Sequence, residues 1–489
     1  MYDVVIIGSG LGGLQCAYIL ARRGMKVCVL EKERRIGGCL QSYQRHGMTL
    51  DTGFHYVGGL SEGQPLYRIF DYFDLLRLPW KQMDTDAFDE VRLGDRSYYY
   101  ANGFGAFAER LAQDFPHQRQ ALHDYAGFLQ RVGEGIERSF DARSADDVYG
   151  QSLFARSALA YLNETVSDPV LRQVLSGTSL KMELHPALPL YIFAQINSSY
   201  IQSAWRLVGG GQQLVDRLAE NVRHAGGEIR TQAEATAFRE DDERLTRVVL
   251  RSGEEIEARW FVSDIHPAAT MRLMEDSRLM RRVYRNRISR LQNTFGMFTV
   301  SCVLKPKTIP MLNRNQYVYR TDDLWHLADR QPGQPVDGVL ITYQAGSDGY
   351  ASNIDLLAPI SWAEVQAWQE TSVMRRGEDY LRFKQGLTDQ CIGLASRLLP
   401  GLPESIERTY TSTPLTYRDY TGTAEGAAYG IRKAFDNLMF TLLTPKTSAQ
   451  NLLLTGQNLN LHGILGVSMT SFFTCSALLG ETVSPFRRQ

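Results

Sequence analysis

Residues 3–13 read DVVIIGSGLGG, and this stretch decides the fold. The apolar run VVII is short and continuous, as expected of a strand buried on both faces of a parallel sheet. Gly8-Ser9-Gly10-Leu11-Gly12-Gly13 then forms a complete G-x-G-x-x-G. Beyond it, LQCAYILARRG sets Leu14, Ala17, Leu20 and Ala21 at helical spacing and stops at Gly24, a C-terminal glycine. KVCVL follows as a second strand closing on Glu31. Each part has a physical task. Gly8 permits the tight turn, Gly10 lets the backbone approach a pyrophosphate, and Gly13 allows close helix–strand packing. The helix N-terminus supplies oriented N–H groups for phosphates. Glu31, at the strand tip, can accept from a ribose 2′-hydroxyl and disfavours a 2′-phosphate. Taken in this order, the pieces predict a dinucleotide site.

The continuation argues for a flavin dinucleotide. Lys32 to Gly38, KERRIGG, ends in two glycines, and LDTGFHYVGG (residues 50–59) adds further glycine turns around His55 and Tyr56. A chain that passes the adenosine and then reaches an isoalloxazine needs such a run, whereas an NAD domain does not.

The order GxGxxGG, Glu31, GGCLQSY, DTGFHYVGG resembles the phytoene desaturase family. Within it, the second motif is similar to that of retinol saturase and carotenoid isomerase members. The resemblance implies an α/β fold: a glutathione-reductase-like Rossmann FAD-binding domain with an interleaved α+β substrate domain. The discontinuous FAD domain is expected over residues 1–75, 206–270 and 410–489. The substrate domain, with a helical lid, is expected over residues 76–205 and 271–409. FAD is the implied cofactor. Its implied contacts here are Gly8, Gly10, Leu11, Gly12, Gly13, Glu31, Lys32, Gly37, Gly38, Gly53 and His55.

The C-terminal region supplies the other half. NLLLTG reads as a strand, and the loop QNLNLHGILG leads into a helix, VSMTSFFTCSALLG. In the family such a strand–loop–helix approaches the ribityl chain and the pyrimidine end of the flavin. The helix N-terminus there favours negative charge on the reduced ring. The residues implied are Gly456, Gln457, Asn458, Gly463, Gly466 and Val467. Asn458 stands where relatives carry an acid, so ribityl contact would come from an amide. Met469 to Phe473 are bulkier than the small residues usual at that point.

The middle of the chain reads as the remainder of the cofactor domain. A glycine turn at 209–211 opens an amphipathic helix with Leu214, Leu218 and Val222 on one face. EIRTQAEATAFRE alternates as a strand, and RLTRVVLRSGEEIEARWFVSD reads as a hairpin around Ser252-Gly253. No second G-x-G-x-x-G occurs, so a built-in NAD(P)H domain is not expected. Aromatic segments such as SYYY (97–100) and LPLYIFAQINSSYIQSAW (188–205) suit either an ordinary core or an apolar substrate channel.

Composition sets the outer limits. With 44% hydrophobic residues and a formal net charge of −1, the chain can bury sizeable cores and has no global field for nucleic acid. The six cysteines form no C-x-x-C and no metal-ligand spacing, so no metal is expected and a reducing compartment is. No basic leader and no long apolar run is read, which predicts a cytoplasmic protein. Residues 271–291 hold seven arginines against two acids on an amphipathic pattern. That segment suits either a solvated face or peripheral contact with the inner membrane face.

The resemblance implies a hydrophobic polyene or isoprenoid substrate, retinoid- or carotenoid-like, with hydride exchanged at flavin N5 during saturation or desaturation. The alternative is a redox-neutral cis–trans polyene isomerase. A non-enzymatic lipid or prenyl carrier on the same fold is disfavoured, because such carriers lack the flavin fingerprint kept here. The external electron partner is not specified. A saturase needs a proton source, and Tyr429, His55, Tyr56 and His462 are the candidates by motif position and chemistry. Tyr429 ranks above His462 as an acid, and a packing role at the domain junction is the alternative for it.

Overall fold

The computed structural model describes residues 1–141, 148–346 and 349–486. The first strand (Tyr2–Ile7), the first helix (Leu11–Ala21) and the second strand (Val27–Leu30) follow one another as read from the sequence. The two strands pair in parallel, with Val4 opposite Val27 and Ile7 opposite Leu30. Alternation sorts the first strand between two cores. Val4 and Ile6 face a core shared with the first helix, while Val5 and Ile7 face the opposite one. Apart from Tyr18 the first helix is buried all round, because it lies between the sheet, the helix Gln212–His224 and the C-terminal helix Gly463–Leu479.

Five strands form the parallel part of this sheet, in the order 228–230, 27–30, 2–7, 261–263 and 452–454. The strand Glu255–Ser263 does two jobs. Its first residues pair antiparallel with Leu245–Leu250, as the Ser252-Gly253 hairpin predicts, and its last three lie between the first strand and Leu452–Leu454. EIRTQAEATAFRE is not one strand. It divides into Glu228–Arg230, which joins the parallel sheet, and Ala235–Glu240, which joins the hairpin. Gln232, with φ of 55°, turns the chain between them.

A second, seven-stranded sheet runs in the order 406–412, 296–304, 351–360, 338–345, 315–319, 89–93 and 96–100. It is antiparallel except where 315–319 pairs with 89–93. One face packs on the helix Glu378–Ala395. The other, through Met297, Leu340 and Leu357, faces a core built with the helices of residues 104–202. SYYY belongs to a strand of this sheet, and LYIFAQINSSYIQ forms a buried helix, Leu190–Gln202. The strand Ile406–Ser412 crosses the expected boundary at 410.

The arginine-rich segment is not one amphipathic helix. It contains the end of the helix Pro267–Leu273 and a separate helix, Arg282–Ser289. Arg285 donates to the carbonyls of Met274 and Glu275, and Arg287 to those of Phe440 and Leu442. Part of the basic charge therefore ties loops together. Among the described residues, no helix is long and apolar enough to cross a membrane.

Candidate functional site

Parallel strands present their carboxyl ends to a common crevice. Here those ends are Ile7, Leu30 and Ser263, with Leu454 beside them, and a cavity of about 530 Å³ opens there. Gly8 follows the first strand with φ of 100°, a conformation that side chains rarely tolerate. A Cβ on Gly13 would stand 2.2 Å from the Gly8 carbonyl oxygen, so helix and turn can pack this closely only through glycine. Gly10 is the N-cap of the first helix and brings no capping side chain; the Asp264 carboxyl lies against the N–H groups of Gly10 and Gly13, while Leu11 and Gly12 line the cavity.

The two glycine-bearing ends of the chain meet in this cavity. A Cβ on Gly12 would lie 3.1 Å from the Cα of Gly456. Gln15 Nε2 donates to Ser468 Oγ at 2.8 Å, locking the first helix to the C-terminal one. His462 is the N-cap of that second helix and makes no capping bond with its side chain, so a second set of N–H groups is left without a side-chain cap. Of the residues expected to contact the cofactor, all line the cavity except Gly13 and Gly466. Those two lie behind the wall. Gly13 packs on Gly8, and Gly466 packs on Leu461, whose atoms a Cβ would meet at about 2.5 Å.

Glu31 is 8% exposed and sits at the second-strand tip. Its carboxylate accepts from the N–H and hydroxyl of Ser9 and from the Glu33 N–H, which aligns the strand tip with the glycine loop. Asn458 has a different local task from simple ligand contact. Its Oδ1 accepts from the Ile431 N–H at 3.1 Å, joining the C-terminal loop to the 427–431 segment.

The four proton-source candidates all line the cavity. His55 has both ring nitrogens buried without a hydrogen-bond partner, and burial lowers its pKa to about 4. A neutral, unpartnered imidazole facing a cavity fits a ligand that completes its bonding. His462 is likewise held neutral by burial, at about 4, and its Nε2 lies 3.1 Å from the Lys181 carbonyl, so it donates there. Tyr429 packs on His462 with ring centroids 4.5 Å apart and planes tilted by 35°, and donates its hydroxyl to the Leu180 carbonyl. Burial raises its pKa, so it keeps its proton. Tyr56 donates to Asp89 Oδ2 at 2.8 Å and shares a 2.7 Å bond with the Tyr317 hydroxyl.

Asp264 and Lys181 are two of the ionisable wall residues that the sequence reading did not single out. Asp264, just past the third parallel strand, lies among the glycines. Its oxygens are 2.4–2.6 Å from where Cβ atoms of Gly10, Gly12 and Gly456 would stand. Burial pushes its carboxyl up to about 7, against the Gly13 N–H, and the Glu31 charge adds to the rise. The strand ending in VSD was the available signal, since ligands gather at such carboxyl ends. Lys181 is the other. It follows Leu180 in a short turn, Ser179–Lys181, that carries no motif.

Comparison with known proteins agrees with this architecture. Residues 6–73 match the family described as an NAD(P)-binding Rossmann-like domain. The chain is 25% identical to all-trans-retinol 13,14-reductase of Danio rerio, over 98% of this chain and 86% of that protein. It is 24% identical to a chloroplastic prolycopene isomerase of Daucus carota, over 88% of this chain and 72% of that protein. A putrescine oxidase variant redesigned in cofactor binding shares the fold, with a TM-score of 0.64 at 15% identity, over 98% of this chain and 99% of that one. The chain is thus similar over most of its length to all-trans-retinol 13,14-reductases and prolycopene isomerases, at 25% identity or less. These similarities indicate a flavin or other nucleotide cofactor.

Proposed function

We propose that this chain is an FAD-dependent oxidoreductase acting on C=C bonds of a hydrophobic polyene or isoprenoid substrate. The observation that carries this reading is the junction of Gly12 with Gly456. It joins two helix N-termini, each without a side-chain cap, and a strand-tip acid around one cavity. A compact NAD domain needs only the first of these halves. The unpartnered His55 ring and the apolar wall of Met297, Leu340 and Leu357 fit a flat ring with an apolar substrate beside it.

In this reading Glu31 holds the ribose hydroxyls, and the N–H groups after Gly10 hold the phosphates. The loop from Gly456 to Asn458 and the helix beginning at Gly463 hold the flavin end. FAD, when bound, accepts or supplies a hydride at N5. The remaining tasks belong to the chain. Its apolar wall excludes water and orients the polyene, and the N-terminus of the helix Gly463–Leu479 favours negative charge beside it.

The similarity to prolycopene isomerases favours a second reading, a redox-neutral isomerase with the same cofactor and substrate class. One experiment separates them: anaerobic incubation of the dithionite-reduced protein with retinoids and carotenoids, followed by mass analysis. A product two hydrogens heavier supports reduction, an isomer of unchanged mass supports isomerisation, and a protein purified without flavin contradicts both.

A further inference from the structure

Lys181 is a buried cation in the wall of an apolar cavity. Its side chain is 5% exposed, and that of its partner Asp89 is fully buried. The ion pair is long, at 3.4 Å, and among the described residues it is the one side-chain bond made by an ammonium with three donors. The ammonium lies 4.1 Å from the Tyr200 ring centroid and 5.6 Å from that of Tyr56. A purely structural ion pair recovers its desolvation cost through short, fully used hydrogen bonds, and this one leaves donors free beside the cavity. Lys181, Tyr56 and Tyr200 all contribute to the cavity lining.

The surroundings hold this lysine in place from both sides. Tyr429 donates to the carbonyl of Leu180, and His462 to the carbonyl of Lys181 itself. Two of the sequence-derived candidates thus spend their protons on the backbone of the lysine and of the residue before it. Tyr56 gives its proton to Asp89, on the oxygen that also faces Lys181. The other groups around the pair include the hydroxyls of Tyr100, Tyr200 and Tyr317, the Asn315 side chain and the Arg206 guanidinium. None of these is a second carboxylate.

Resting on the reading of a flavin-dependent polyene reductase, we propose that Lys181 is the proton donor of this cavity, with Asp89, Tyr429 and His462 as its positioning residues. The balance is simple. The C=C π bond breaks as one carbon takes a hydride from the reduced flavin, which is oxidised by two electrons. The adjacent carbon takes a proton from the Lys181 ammonium, forming the second C–H bond and leaving a neutral amine, which water reprotonates after product leaves. The charge state suits the task. Burial lowers Lys181 from 10.5 to about 8 although Asp89 opposes it, while burial raises Asp89 to about 6 although Lys181 opposes it. Between those values the pair is charged and the ammonium is more acidic than an exposed lysine.

The test uses the cofactor-loaded protein. Lys181→Met combined with Asp89→Asn removes both charges, so no unpaired carboxylate is left buried, and Lys181→Arg keeps the charge while holding its proton. The expected result is normal flavin content and unchanged polyene binding in both variants, with single-turnover reduction slowed by about 100-fold or more. Methylamine should restore part of the rate to Lys181→Ala, which a packing role would not allow. Separately, protein carrying 15N at lysine side chains should show one resonance, absent in Lys181→Arg, that titrates near 8. Undiminished reduction in the neutral double variant overturns the proposal, and so does titration at an ordinary 10.5. The titration needs no substrate, so an ordinary value counts against Lys181 as the acid even if no polyene is reduced and the reading above fails.

Discussion

Gly12 and Gly456 pack together in one wall of the cavity: a Cβ on Gly12 would lie 3.1 Å from the Gly456 Cα and 2.4 Å from Asp264 Oδ1. Residues from opposite ends of the chain therefore share one wall, because the strands that carry them, Tyr2–Ile7 and Leu452–Leu454, both flank Glu255–Ser263.

Gly13→Ala is expected to weaken the fold and the cofactor site together. Its Cβ would meet the Gly8 carbonyl at 2.2 Å, so the first helix must shift away from the turn. Overpacking of this kind costs about 1–3 kcal/mol. Thermal unfolding and visible flavin absorbance check it, and a variant with the parent's melting temperature and colour would show that the helix is not clamped there.

Much of this site is legible in the sequence because its signals are local. Gly8 to Glu31 form a compact strand–turn–helix–strand unit, and residues 452–479 repeat the strand–loop–helix logic. Asp264 and Lys181 are not legible in the same way. Each is a single polar residue whose meaning comes from neighbours distant in the chain, the glycine loop in one case and Asp89 in the other. The break at Gln232 was also hidden, since alternation carries on through EIRTQAEATAF while the parallel and antiparallel parts of one sheet claim its halves. The arginines of 271–291, which read as one amphipathic pattern, are divided in the structure. Their helical spacing is real over 282–289, but Arg285 and Arg287 are engaged with backbone carbonyls.

Glu31→Ala should lose cofactor. The carboxylate fixes Ser9 and Glu33 as well as facing the cavity, so its removal loosens the glycine loop and takes away the ribose acceptor. The flavin-to-protein absorbance ratio after gel filtration measures this. Retention equal to the parent would remove Glu31 from the ribose role.

Asp264 makes stability depend on pH. Its folded value, about 7, lies above the ordinary 3.8, so the native state holds a proton that the unfolded chain has released between those limits. The group's contribution is complete below 3.8 and is lost as pH rises through 7. Asp264→Asn keeps the neutral shape, so its melting temperature should gain on the parent's as pH rises from 4 to 7, then keep a constant lead. Parallel curves would contradict the assignment.

Tyr429→Phe should leave flavin bound and slow turnover less than loss of Lys181 does. The hydroxyl holds the Leu180 carbonyl, and deleting one such hydrogen bond costs about 1 kcal/mol. Turnover with the full flavin complement is the measure, and a loss as deep as that of the Lys181 variants would make Tyr429 the donor instead.

The account's central claim is flavin chemistry on a polyene C=C bond, and one measurement reaches it directly. The protein is reduced with dithionite under anaerobic conditions and mixed with retinoid and carotenoid polyenes while flavin absorbance and product mass are followed. The account predicts reoxidation of the flavin with a product two hydrogens heavier. A protein that purifies without flavin, or a reduced flavin that leaves every polyene unchanged, would contradict it.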